Sequence, residues 1–215
     1  MSKSNNQGQV SSVKRFLLHE IADIYPGYPF RGSLPINPDG EVFVVQFRNV
    51  IVNKPLNCPG GEGLDRVDLT GRKPSKYLEP GDVIFMAKST RNHALAIEAV
   101  PLNTICSPHF FHIRLKKTAP AILGTFIAWQ INHTDAQRYF ASCGQGSAAR
   151  MISKSQLGEL PIYVPSIEKQ KALVGLSYAA AQEADLLARL IENKQRMIDA
   201  IGHQVMHEKP TNFLN

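Results

Sequence analysis

The sequence predicts an α+β protein: a mixed α/β globular head followed by one long C-terminal coiled-coil-type helix. Three observations carry this expectation. Short β-rich apolar runs, VFVVQFR at 42–48 and VIFMA at 83–87, alternate with Gly/Pro turns through the first 165 residues. Pro165 then closes the apolar strand at 160–164. Beyond it no proline occurs from Lys169 to Lys209, which leaves room for about forty helical residues, roughly 60 Å at the usual rise. The expected organisation is a disordered tail at 1–12, a head at 13–165, a helix at 166–207 and a tail at 208–215.

Each element has its own signal. The tail SKSNNQGQVSS lacks periodicity and large apolar residues. Gly27-Tyr28-Pro29, Asn37-Pro38-Asp39-Gly40 and Asn57-Cys58-Pro59-Gly60-Gly61 are turns by composition. Glu79-Pro80-Gly81-Asp82 is a tight turn feeding the strand at 83–87, and 95–100 and 110–115 are two further strands. Residues 119–132, APAILGTFIAWQIN, form the head's best helix candidate, with Ile122, Phe126, Ile127 and Trp129 in its core. Ser153 can cap a short helix at 154–158. Ser166 can cap the long helix, with Glu168 favourably placed in its first turn.

A helix of that length cannot bury itself on a head of this size, so its apolar positions point to a partner. Leu173, Leu176, Ala180, Leu187, Leu190, Met197 and Ile201 fall on a three/four spacing, and Ala184, Ile191, Ile198 and Val205 widen the stripe. Glu183, Lys194 and Gln204 interrupt the seam, and Gly202 weakens the helix near its end. The charge is divided unevenly. Residues 166–215 hold six basic and six acidic groups, so the formal +6 belongs to residues 1–165. Within 66–117 there are nine basic residues against four acids. A basic head on a neutral, apolar-striped helix suits a polyanion-binding module joined to a protein-binding stalk.

Motifs for chemistry are largely missing. There is no GxGxxG after a strand and no GxxxxGK[ST]. Asn57-Cys58-Pro59-Gly60 lacks the second proline and the aromatic of an amino-methyltransferase signature, and Glu168-Lys169-Gln170-Lys171 sits on the start of the long helix rather than on a nuclease strand. His93, His109 and His112 show no ligand spacing, and Cys58, Cys106 and Cys143 form neither a zinc set nor a disulfide framework, which suits a reducing cytoplasm. The expected protein is not an enzyme and needs no cofactor or metal.

Ordered blocks then carry a resemblance. LHEIADIYPGYPFR at 18–31, YLEPGDVIF at 77–85, Lys88-Ser89, Gly146-Ser147, Ile152-Ser153, Leu157, Leu160-Pro161-Ile162 and VPSIEKQ at 164–170 resemble, in order, the target recognition domain and spacer-helix start of type I restriction–modification specificity subunits. Those subunits usually hold two recognition domains and two long helices; this chain has one of each and resembles a half-subunit. The resemblance implies a non-catalytic protein that reads one half of a split DNA target. It also implies recruitment of methyltransferase subunits, and through them a motor-nuclease, by the helix. The candidate DNA-reading residues are Lys88, Ser89, Thr90, Arg91 and Asn92, and Gln145, Ser147, Arg150 and Lys154. The candidate dimer or partner interface is Leu173, Leu176, Ala180, Leu187, Leu190, Ile191, Met197, Ile198, Ile201 and Val205, with an antiparallel homodimer as the expected state. The alternatives are a restriction-system adaptor or regulator without DNA binding, and a diverged nuclease or methyltransferase.

Overall fold

In the computed structural model, the described residues are 13–51, 54–69, 74, 76–89, 92–143 and 151–207. They form an α+β protein, and the chain divides into two units, Met1–Gly175 and Leu176–Asn215. Three sheets build the first unit. The largest has the order β2–β9–β6–β7–β4, made by Ala22–Pro26, Phe110–Leu115, Val83–Met86, Ala94–Ala99 and Leu56–Asn57. A second sheet places β3 (Val42–Val45) between β5 (Asp65–Val67) and β8 (Thr104–Cys106). The third pairs β1 (Lys14–Leu17) with β10 (Pro161–Val164), antiparallel in register Lys14↔Val164 to Leu17↔Pro161.

The apolar runs read from sequence become the central strands because both of their faces are covered. In β6, Val83, Ile84 and Phe85 are all essentially buried. Ile84, Leu95, Ile97 and Phe110 join one core cluster with Val45, while Val42, Val44, Val67 and Ile105 form another. The run at 42–48 is strand only to Val45; Phe47–Asn49 turns into a 3-10 segment, whose Asn49 side chain accepts the Gln46 amide at 2.8 Å.

Four helices accompany the sheets in this unit: α1 (Leu18–Ile21), α2 (Gly124–Asn132), α3 (Thr134–Cys143) and α4 (Lys154–Gly158). Helix α2 begins at Gly124 rather than Ala119. At 124 any larger residue is excluded, since a Cβ there would lie 2.2 Å from the Gly81 carbonyl oxygen. Ile122, Phe126 and Ile127 are buried as expected, whereas Trp129 is half-exposed and stacks on Phe126 at 5.3 Å. Helix α4 is capped by Ser153, whose hydroxyl accepts the Gln156 amide at 3.2 Å while Gln156 Oε1 accepts the Ser153 amide at 2.9 Å.

The long helix α5 runs Ile167–His207. Its first turns belong to the first unit, where Gln170 is fully buried and Val174 nearly so. Gln170 accepts the Leu123 amide at 3.0 Å and donates to the Ala121 and Pro165 carbonyls, both at 2.9 Å. In the second unit the apolar residues lie bare: Leu187, Leu190, Met197 and Ile201 are each about half exposed. Arg189 pairs with Asp185 at 3.0 Å and Arg196 with Glu192, along a different stripe of the same helix.

Candidate nucleic-acid interface

Strand β6 delivers the first candidate string. After Met86 the chain passes Ala87, whose amide donates to the His109 carbonyl at 3.0 Å and whose carbonyl accepts the Ile152 amide at 3.1 Å. Lys88 then forms an antiparallel bridge with Met151. Lys88 and Met151, some sixty residues apart in sequence by the numbering, therefore meet at this bridge. Lys88 and Lys154 are exposed there and Ser89 is half-buried. Among the described residues neither lysine has an ion-pair partner.

Asn92 corrects one expectation. It is 2 % exposed, and its side-chain amide donates to the Met86 carbonyl at 2.9 Å and to the Ala87 carbonyl at 3.3 Å. Its backbone carbonyl accepts Gln137 Nε2 at 2.8 Å. Asn92 holds the loop onto the head and presents nothing to a base. Thr90, Arg91, Gln145, Ser147 and Arg150 lie outside the described residues.

A buried ionic network fixes the sheet. Asp82 accepts His112 Nε2 at 2.8 Å, Arg114 Nε at 2.8 Å, Arg114 Nη2 at 2.6 Å and the Glu79 amide at 2.8 Å. Burial pushes the Asp82 carboxyl up, but the Arg114, His112 and Glu79 hydrogen bonds outweigh it, and the group stays below the ordinary carboxylate value. The Gly-Asp of the turn is thus a structural anchor for β6 and β9.

A feature that sequence reading did not single out lies beside β2. A groove of about 980 Å³ is lined by Tyr25, Tyr28, Phe30, Arg31, Asp68, Lys76 and Lys154. Its floor includes Ile105 and Cys106, whose thiol burial pushes up to about 12, so it stays neutral. The turn leaving β2 is tight because Gly27 sits against Ser107: a Cβ there would fall 2.0 Å from the Ser107 carbonyl oxygen. The sequence signal for this wall is the run tyrosine, proline, glycine, tyrosine, proline, phenylalanine, arginine at 25–31.

Among the described residues there is no cluster of three or more His, Cys, Asp or Glu able to hold a metal, and no helix long and apolar enough to cross a membrane. The sequence matches no family model and no curated protein. Solved structures do match. The chain is similar to the S subunit of a type I restriction–modification system from M. genitalium, at 17% identity and TM-score 0.53, over 94% of this chain and 47% of that one. It is similar to a chain from a structure of the assembly and conformational transition of the type I R-M system, at 14% identity and TM-score 0.61, covering 93% and 46%. It is also similar to the HsdS subunit from Thermoanaerobacter tengcongensis, at 15% identity and TM-score 0.54, covering 87% and 42%. The chain spans less than half the length of these structures. At such identities the likeness establishes the fold.

Proposed function

We propose that this chain is a non-catalytic, sequence-reading DNA subunit of a type I-like restriction–modification complex. The head reads one half of a split target, and the long helix recruits methyltransferase subunits and a motor-nuclease while pairing two copies of the chain antiparallel. The observation that supports this most is the Lys88–Met151 bridge, which joins Lys88 after β6 to the residue three before Lys154 on a head of specificity-subunit fold. Lys88, Ser89, Thr90, Arg91, Gln145, Ser147, Arg150 and Lys154 are the reading residues of this proposal; Asn92 is not among them.

The physical division of labour is simple. Cations contact phosphates and set the register, while loop side chains reach base edges. A head of modest net charge with half a target's readers binds weakly alone and gains specificity once a methyltransferase clamps the duplex. Fluorescence anisotropy against a labelled duplex, across a series of salt concentrations, tests this. Affinity should fall steeply with salt, and Lys88→Ala and Lys154→Ala should each reduce the log–log slope by about one. Salt-independent binding, or none with the methyltransferase present, rejects the reading and favours an adaptor. Tight sequence-specific binding by the isolated chain contradicts the need for a partner.

A further inference from the structure

We propose that the groove beside β2 receives a single unstacked nucleotide of a DNA strand, with its base against the aromatic wall and its phosphate among unpaired cations. The proposal rests on the DNA-reading assignment and adds to it a concave site that shares Lys154 with that assignment.

Size sets the first limit. A volume of about 980 Å³ admits a nucleotide but not a stacked duplex, which is far wider than any such hollow. The occupant must be small, or be taken out of the base stack. The walls then select its chemistry. Tyr28 and Phe30 meet edge to face at 4.8 Å and pack on the cluster of Val42, Val44, Val67 and Ile105, so their rings are held in place before anything binds. Tyr25, half-buried, adds a third ring, itself 5.6 Å from His112. Every nucleobase offers a flat π face to such a wall, whatever its sequence.

Charge points the same way. Arg31, Lys76 and Lys154 are exposed at the groove, and none has an ion-pair partner among the described residues. Other arginines on the head are engaged, Arg48 on Asp65, Arg114 on Asp82 and Glu79 and Arg66 on the Gly40 carbonyl. Among the described residues the one carboxylate in the groove wall, Asp68, is committed, accepting the Asn37 side-chain amide and the Glu41 backbone amide. Three idle cations beside three rings complement a base joined to a phosphate. Continuity decides between DNA and a free nucleotide, because Lys154 lines the groove and also belongs to the string that meets Lys88.

The test uses the full chain with three probes: a labelled paired duplex, the same duplex with one unpaired bulged nucleotide, and deoxyadenosine monophosphate as competitor. The bulged duplex should bind at least about three-fold tighter, and Tyr25→Leu and Arg31→Ala should each erase that preference while shifting paired-duplex affinity by less than about two-fold. Lys169→Ala, which removes the same charge outside the groove, should leave the preference intact. Arg31 is exposed, so its variant keeps the test valid even if Tyr25→Leu fails to fold. Equal affinity for the two duplexes overturns the groove proposal alone. A preference surviving both variants overturns it as well, and displacement by micromolar deoxyadenosine monophosphate reassigns the groove to a free nucleotide. Failure to bind either duplex, with the methyltransferase present as well as without it, overturns the DNA-reading assignment itself.

Discussion

Asp82 illustrates how much of the head hangs on one side chain. Its 4 % exposed carboxylate is the shared acceptor of Arg114, His112 and the Glu79 amide, so removing its charge leaves a guanidinium that is only 20 % exposed with the exposed Glu79 carboxylate as its one ionic partner among the described residues. Breaking a buried pair from one side costs about 3 kcal/mol, and Asp82→Asn should lower the urea midpoint at neutral pH accordingly. The pH dependence follows from the direction of the shift. Despite its burial the group titrates below its ordinary value of 3.8 in the fold, so its contribution is complete above the unfolded pKa and is lost as pH falls through the folded one. The stability gap between wild type and Asp82→Asn should therefore close on acidification below about pH 4; a gap constant from neutral to acid pH rejects the network's role. Ser107 is the opposite case. Its Oγ is buried without a hydrogen-bond partner among the described residues, so Ser107→Ala should be neutral or stabilising by up to about 1 kcal/mol in thermal unfolding. A clear loss means that the hydroxyl has work elsewhere. Both residues show why polar side chains are hard to read from sequence: Asn92 in its loop looked like a reader, and only its 2 % exposure and its bonds to Met86 and Ala87 reveal an anchor.

At the scale of elements, buried carboxamides on the helices join the head together. Gln130 in α2 clamps both the amide and the carbonyl of Tyr163 in β10, each at 2.9 Å. Gln170 in α5 likewise serves Leu123, Ala121 and Pro165. Gln170→Leu keeps the volume and leaves three backbone groups without their partner; it should cost about 2–3 kcal/mol, read as a fall in the melting temperature of the head. No change would mean that α5 is held to the head by its apolar contacts alone. The elements that sequence revealed are those with a strong period or a continuous apolar run, such as β6, β9 and α5. Those it missed are short or lightly patterned. KRFL in β1 and the two residues of β4 are too brief to show alternation, and α3 buries only Ala136 and Phe140. Helix α2 lost its first five expected residues because Gly124, set against Gly81, marks where the helix comes close enough to pack. The candidate strings were legible as polar runs, but the meeting of Lys88 and Met151 depends on a long-range bridge that no local pattern encodes.

For the whole molecule, the contrast between a head that carries the formal +6 and a neutral helix with bare leucines leads to the last prediction. Leu176, Leu187, Leu190, Ile191, Met197, Ile198, Ile201 and Val205 are each at least 49 % exposed, along a stripe distinct from the Asp185–Arg189 and Glu192–Arg196 pairs. An apolar stripe of that length is unusual on a protein that stays single, and closed two-fold pairing buries it on both copies at once. Leu187→Glu with Leu190→Glu places two like charges in each half of that seam. The double variant should be monomeric by light scattering while the head keeps its melting transition. Wild-type chain that is monomeric at tens of micromolar, a working concentration of the order at which two-fold helix pairs assemble, sinks the idea. The consequence for DNA follows from symmetry. Two identical readers related by a two-fold axis meet the two strands of a duplex in inverted orientation, so each reads the same half-sequence on the opposite strand. The target should then be a palindrome split by an unread spacer, set by the length of helix between the heads. Sequencing of duplexes selected from a random pool by the assembled complex checks this directly, and an asymmetric target means that two different readers, not two copies of this head, face the DNA.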